Sequence, residues 1–216
     1  IIWCDGRAVE IGNTAFNEIG SEKCCNHLLN SPGNFTASKL AWVKKNEPNI
    51  YDRIYKFLLP GDFIAYKFTG EVLSTPNGLS EGMFWDFKEG KVASWLLKYF
   101  GISESLVPSI VENFNDQGYI NKKASLETGL PKGIPIRYRA GDQPNNAMSL
   151  NVLNSGEIAA TGGTSGVLYA LTKNIKSKES LRINNFAHVN YSKENHIIGK
   201  LLCINGSGIN INGLGI

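Results

Sequence analysis

The stretch from Arg139 to Gly166 limits the fold more than any other part of the chain. It sets two polar turns into otherwise apolar sequence. The first is Gly141-Asp142-Gln143-Pro144, which follows a run from Gly133 to Arg139 that reads as a strand. Pro144 then favours the first turn of a helix. A strand that hands over to a helix through a tight turn belongs to an α/β sheet. Such sheets place their ligands at the carboxyl ends of the strands. The second turn is Gly162-Gly163-Thr164-Ser165-Gly166, between two short apolar segments at 157–161 and 167–171 that read as strands.

Each turn supports two readings. Asp142 ahead of Pro144 suits a helix cap, because its carboxylate accepts orphan N–H bonds. It is also a carboxylate at the mouth of a turn, able to take the proton of an alcohol. The glycine turn suits a hairpin, since Gly supplies positive φ at little steric cost. It also suits a cradle of backbone N–H groups around phosphate oxygens. Taken together, the second readings are what phosphoryl transfer to an alcohol requires. A Walker A loop is excluded, because no Gly-Lys-Ser/Thr follows at the required spacing. A nucleophile elbow is excluded too, because Val167 stands where its last Gly is needed.

With 216 residues, 42% of them hydrophobic and 19% charged, the chain can bury a sizeable core. A net charge of +3 is mild, and its Lys and Arg are scattered in short runs such as Lys44-Lys45 and Lys122-Lys123. These read as solvated faces, not a nucleic-acid surface. No run approaches the ~20 apolar residues that span a bilayer. Cys4, Cys24, Cys25 and Cys203 show no paired spacing, so reduced thiols, a cytoplasmic setting and no metal site are expected. The chain opens at Ile1 without Met, so an upstream segment is expected as well.

The remaining punctuation gives a coarse map. Residues 1–7 start as a buried-type strand and end polar, and 8–29 read as one helix broken at Ser31-Pro32-Gly33-Asn34. Residues 35–46 read as a helix with Trp42 as its core anchor, ended before Pro48. A strand-like run at 54–59 precedes a helix capped by Asp62 and closed by Gly70. Helices are expected over 74–83, 92–100 and 124–128, with a turn at Trp85-Asp86 and a linker-like stretch over 107–118. Ser155-Gly156 marks a domain boundary, dividing 1–154 from 155–216. Beyond it three strands are expected, at 157–161, 167–171 and 195–203, and then a helix opening at Gly206.

Three groups of residues resemble the FGGY family of carbohydrate kinases. One is Gly141-Asp142-Gln143 followed by the run from Thr161 to Leu168. Another is Thr36, Lys39, Leu40, Trp42, Val43, Lys45 and Asn46, which fit that family's N-terminal signature, with Asn34 departing from its first position. The last is Trp3, Asp5 and Arg7, which match a Trp-x-Asp-x-Arg element. The resemblance implies the actin/Hsp70/sugar-kinase (ribonuclease H-like) α/β fold, incomplete in this chain. It implies ATP-dependent phosphorylation of a sugar hydroxyl, with ATP and Mg²⁺ as cofactors.

Asp142 would be the catalytic base. Trp3, Asp5, Arg7 and Gln143 would border the sugar, and Gly162, Gly163, Thr164 and Ser165 would meet the β- and γ-phosphates. The upstream Asp-x-Gly-Thr phosphate motif and the adenine pocket would lie outside the chain, leaving a fragment that should be inactive alone. The runs Trp3-Cys4-Asp5-Gly6-Arg7 and Asp142-Gln143-Pro144-Asn145-Asn146-Ala147 are most similar to the xylulokinase branch, which implies D-xylulose as acceptor. Alternatives are glycerol or another polyol, or a non-catalytic nucleotide-binding scaffold of the same fold. The expected partners are therefore a small-molecule sugar and ATP, with a homodimer allowed and neither nucleic acid nor membrane.

Overall fold

The computed structural model describes residues 1–162, 166–176 and 182–204. Helices dominate its first two thirds. Helix α1 (Val9–Ile19) and helix α2 (Ser21–His27) replace the single helix expected over 8–29. The break is Gly20, whose φ of 97° lies in the left-handed region that only glycine enters cheaply. Helix α3 (Thr36–Asn46) carries the signature residues and stops ahead of Pro48, which opens the short helix α4 (Pro48–Tyr51).

Residues 54–59 run extended but join no ladder among the described residues. Phe57 N–H donates to the Leu106 carbonyl, and Lys56 Nζ reaches the carbonyls of Ser105 and Val107. Helix α5 (Pro60–Thr69) begins earlier than expected, with Pro60 inside its first turn. Asp62 is therefore its third residue and accepts the Leu59 N–H at 3.3 Å. Strand β1 (Leu73–Ser74) leads to helix α6 (Pro76–Glu81), whose start is capped by the Thr75 hydroxyl.

Trp85-Asp86 is not a bare turn. It is strand β2 (Trp85–Asp86), antiparallel to strand β3 (Lys91–Val92). Helix α7 (Ser94–Phe100) ends at Gly101, as expected. The stretch 107–118 is not a linker. It holds strand β4 (Ser109–Ile110), parallel to β1, and it buries Asn113 and Gln117. Helix α8 (Lys122–Thr128) and helix α9 (Asp142–Ser149) follow. Between them, Gly133 sits in a turn and residues 134–139 form no strand, with a single bridge, Tyr119 to Pro135, among the described residues. The backbone bonds of this segment to Phe114, Gln117, Gly118 and Ile120 join a loop instead of a strand.

The rest is an antiparallel sheet in the order β5-β6-β8-β7. Strand β5 (Ile158–Thr161) and strand β6 (Gly166–Thr172) form the expected hairpin, with Thr161 opposite Val167. Strand β7 (Asn184–Ala187) had no sequence signal. Strand β8 (Ile198–Ile204) is the third expected strand, three residues shorter at its start. The helix expected from Gly206 lies outside the described residues.

The main core joins Leu40 of α3, Leu79 of α6, Leu96 and Leu97 of α7 and the stacked pair Phe57–Phe84. Phe186, Ala187, Tyr191 and Ile198 enter the same cluster from the sheet side. A smaller cluster packs Ala147 of α9 against Ala159, Tyr169 and Leu171, so α9 lies on the β5–β6 hairpin. Trp42 is half-buried and anchors no core cluster, contrary to expectation. No helix among the described residues is long and apolar enough to cross a membrane.

Candidate active site

Asp142 is delivered by a segment held rigidly from beneath. Three residues before it, Arg139 is almost completely buried. Its Nε donates to Gln117 Oε1 at 2.8 Å, and its Nη1 donates to Asp62 Oδ1 at 3.2 Å and to the Leu73 carbonyl at 2.9 Å. Asp62 in turn accepts the Ser74 hydroxyl at 2.8 Å. Burial pushes the Asp62 carboxyl above its ordinary range, while Ser74 and Arg139 pull it back. Gln117 and Arg139 also meet Asn113, so loop 113–117 and helix α5 both fix this approach to the turn.

The N-cap of α9 is Gly141, and Asp142 is its first helical residue. The Asp142 side chain is exposed, and Oδ1 accepts the N–H of Gln143 at 2.8 Å. Its side chain therefore stands in the first turn of α9, open to solvent on the outer side of the turn. Gln143 is half-buried beside it, and Pro144 packs inward.

Sequence reading missed Glu81, the last residue of α6. Its Oε1 accepts the Gly141 N–H at 3.2 Å. A Cβ at position 141 would overlap both carboxyl oxygens of Glu81. The Gly141 φ of −68° suits any residue, so what favours glycine here is the space taken by the Glu81 carboxyl and not backbone conformation. Burial, and then the Asp142 charge, push Glu81 up to about 7. A lone Glu at a helix end carries no sequence signal for such a contact.

The Trp3, Asp5 and Arg7 group is organised by the signature helix. The expected strand at 1–7 is absent, and its carbonyls go to side chains instead. Lys39 Nζ donates to Ile2 O at 2.8 Å and Trp3 O at 3.1 Å, and Asn34 Nδ2 donates to Asp5 O at 2.7 Å. Asn34, the departure from the signature, therefore helps to hold this loop. Arg7 pairs with Asp5 at 2.7 Å and lies over the Trp42 ring at 4.6 Å, so Trp42 supports Arg7 by a cation–π contact. The Arg7 guanidinium draws the Asp5 carboxyl down to about 2. Trp3 is 83% exposed and so free to border a ligand. Among the described residues, no hydrogen bond or ion pair joins this group to Asp142 or Gln143.

Gly162 closes β5 and is exposed, with open space where a Cβ would stand. Gly163, Thr164 and Ser165 lie outside the described residues. Because α9 packs on β5 and β6, the Asp142 helix and this hairpin form one packed unit. His188 ties that unit to α6. Its Nε2 bonds the Val152 carbonyl at 3.1 Å and its Nδ1 meets the Tyr169 hydroxyl at 3.3 Å. Its own carbonyl accepts the Asn77 amide. No three His, Cys, Asp or Glu side chains converge on a metal position among the described residues.

The family model for the N-terminal domain of FGGY carbohydrate kinases matches residues 1–149. The chain belongs to the FGGY family. Xylulose kinase from Escherichia coli (strain K12) is 27% identical over 188 residues, covering 87% of this chain and 38% of the relative. Glycerol kinase from Thermococcus onnurineus (strain NA1) is 29% identical over 152 residues, covering 68% of this chain and 30% of the relative. The chain thus spans about two fifths or less of these relatives. Among solved structures, xylulose kinase from Rhodospirillum rubrum matches with a TM-score of 0.88 at 24% identity, covering 98% of this chain and 42% of that one. Plasmodium falciparum glycerol kinase with ADP matches with a TM-score of 0.87 at 18% identity, covering 99% of this chain and 43% of that one. The fold is that of the actin/Hsp70-like sugar kinases, present here in part.

Proposed function

We propose that this FGGY chain is the base-bearing portion of a kinase that transfers the γ-phosphoryl of ATP to a hydroxyl of D-xylulose. The observation that carries the reading is Asp142, an exposed carboxylate at the N-terminus of α9 on a segment locked by Arg139. The sugar oxygen attacks the γ-phosphorus, Asp142 takes the hydroxyl proton, and ADP leaves with the former bridging electrons. Such a base supplies about 10²–10⁴ in rate.

In this reading Gln143, Trp3, Asp5 and Arg7 border the sugar. Gly162, Gly163, Thr164 and Ser165 meet the β- and γ-phosphates. Mg²⁺ would arrive as the ATP chelate, since that ion binds largely through substrate phosphates. The division into 1–154 on the sugar side and 155–216 on the phosphate side belongs to the same proposal. It is supported by the family match, which stops at residue 149.

D-xylulose is preferred because the runs Trp3–Arg7 and Asp142–Ala147 resemble the xylulokinase branch and the relatives in sequence include xylulose kinases, with glycerol as the runner-up acceptor. The test is an ADP-release assay of the intact protein against D-xylulose, L-xylulose and glycerol. Turnover on D-xylulose at least tenfold above the others supports the reading. A preference for glycerol moves the substrate, and no turnover on any sugar favours a non-catalytic scaffold.

A further inference from the structure

Glu81 is a costly way to satisfy one N–H group. A glutamine of the same length would accept the Gly141 N–H equally well without burying an acid. The carboxyl also lies so close to Gly141 that any side chain at that position would have to displace it. Four other acids and hydroxyls, on separate segments of the chain, interact with it electrostatically. Asp142 of α9 and Asp62 of α5 act on it through their charges, and it acts in turn on Tyr138 and on Tyr169 of β6. The neighbouring cation, Arg139, is engaged by Asp62, Gln117 and the Leu73 carbonyl. Helix α6 is itself fixed, because Ser80 Oγ accepts the Ala187 N–H at 2.9 Å and Asn77 donates to the Ala187 and His188 carbonyls. Glu81 is therefore a charge held at a set place behind the Asp142 turn.

We propose that Glu81 is the positioning residue of Asp142, holding its turn through Gly141 and promoting proton uptake there when ionised. The proposal rests on reading Asp142 as the base. Two adjacent carboxylates resist carrying charge together, so an ionised Glu81 favours arrival of the sugar proton at the turn. Protonated Glu81 keeps the hydrogen bond but loses that push. Because burial and Asp142 raise Glu81 to about 7, the push switches on across neutral pH.

The experiment compares kcat against pH for the intact wild type, Glu81→Gln and Asp142→Asn, with thermal midpoints. It adds a ¹³C-NMR titration of the Glu81 carboxyl in wild type and Asp142→Asn. The expected result is a wild-type kcat that rises through pH 7. Glu81→Gln should lose that rise, with kcat about three- to tenfold lower above pH 7, the size of a proton-affinity change of up to one unit. KM for the sugar should change little, and the Glu81 titration midpoint should fall by about one unit when Asp142 becomes Asn. Retention of the rise in folded Glu81→Gln, or an unmoved Glu81 midpoint in Asp142→Asn, overturns the proposal. If Glu81→Gln does not fold, the NMR comparison decides alone. Full activity of Asp142→Asn is a different outcome, because it removes the base reading itself.

Discussion

The Arg139 guanidinium donates to the Asp62 carboxylate at 3.2 Å, with only 5% and 3% of the two side chains exposed. The pair links helix α5 to the residue three places before Asp142. Its surroundings are polar on every side that has a partner, through Ser74, Gln117 and the Leu73 carbonyl. Arg139 Nη2 is buried without a hydrogen-bond partner among the described residues. Such an arrangement fixes geometry more than it adds stability, because desolvating two charges offsets most of their attraction.

Removing one partner leaves the other charge buried. Arg139→Met should therefore lower unfolding free energy by about 3–5 kcal/mol. The double variant Asp62→Leu with Arg139→Met should recover part of that loss, since no lone charge remains. Urea unfolding of the intact protein measures both. A loss below about 1 kcal/mol in the single variant would mean that water already reaches the pair.

A second prediction concerns the fit of Gly141 against Glu81. Gly141→Ala keeps an allowed φ of −68° but puts a methyl group into the carboxyl. Overpacking of this kind costs about 1–3 kcal/mol. In a Glu81→Ala background the methyl group has room, so the same change should cost little. A double-mutant cycle on thermal unfolding reads the coupling. Equal costs in both backgrounds would disprove the contact.

Much of this arrangement was legible in the sequence, because local signals agreed with the fold. The α3 signature, the Gly70 and Gly101 stops and the β5–β6 hairpin all combine periodicity with turn chemistry within a few residues. Glu81 was not legible, because its partner lies 60 residues away and its position is set by packing. Strand β7 was hidden for a similar reason. Its polar residues Asn184 and Asn185 point to no strand pattern, yet Asn185 is buried and bonded to Asn30 and Leu29. Residues 1–7 misled in the opposite direction. Ile1, Ile2 and Trp3 have strand composition, but the Ile2 and Trp3 carbonyls meet the Lys39 and Asn34 side chains and not a neighbouring strand.

A third prediction is an acid limb of stability from His188. Burial lowers its pKa from 6.5 to about 4. Its Nε2–H can donate to the Val152 carbonyl while Nδ1 accepts the Tyr169 hydroxyl, a pattern that needs the neutral ring. A depressed folded pKa gives stability that is full above about 6.5 and lost as pH falls towards 4. At about 1.4 kcal/mol per unit the loss is on the order of 3 kcal/mol. Glu81 runs the other way, since its raised pKa contributes stability below 4.5 that is lost as pH rises to about 7. The two overlap, so wild type alone is uninformative. Thermal midpoints of His188→Gln and Glu81→Gln between pH 4 and 7 separate them. A His188→Gln curve parallel to wild type would remove the claim for His188.

The last prediction separates a structural Asp142 from a catalytic one. Gly141 is the N-cap of α9, so Asp142 supports the helix only from its first turn. That support is worth about 0.3–1 kcal/mol through the helix dipole. Asp142→Asn should then lower the thermal midpoint of the intact protein only slightly. The asparagine can still accept the Gln143 N–H through its carbonyl oxygen, so the local geometry survives. It cannot accept the sugar hydroxyl's proton. If Asp142 is the base, kcat should fall about 10²-fold or more, a barrier increase of roughly 3 kcal/mol. The two effects differ in size by enough to be read from one preparation. Near-equal midpoints with kcat within about threefold of wild type would leave Asp142 a first-turn helix residue and transfer the search for the base elsewhere.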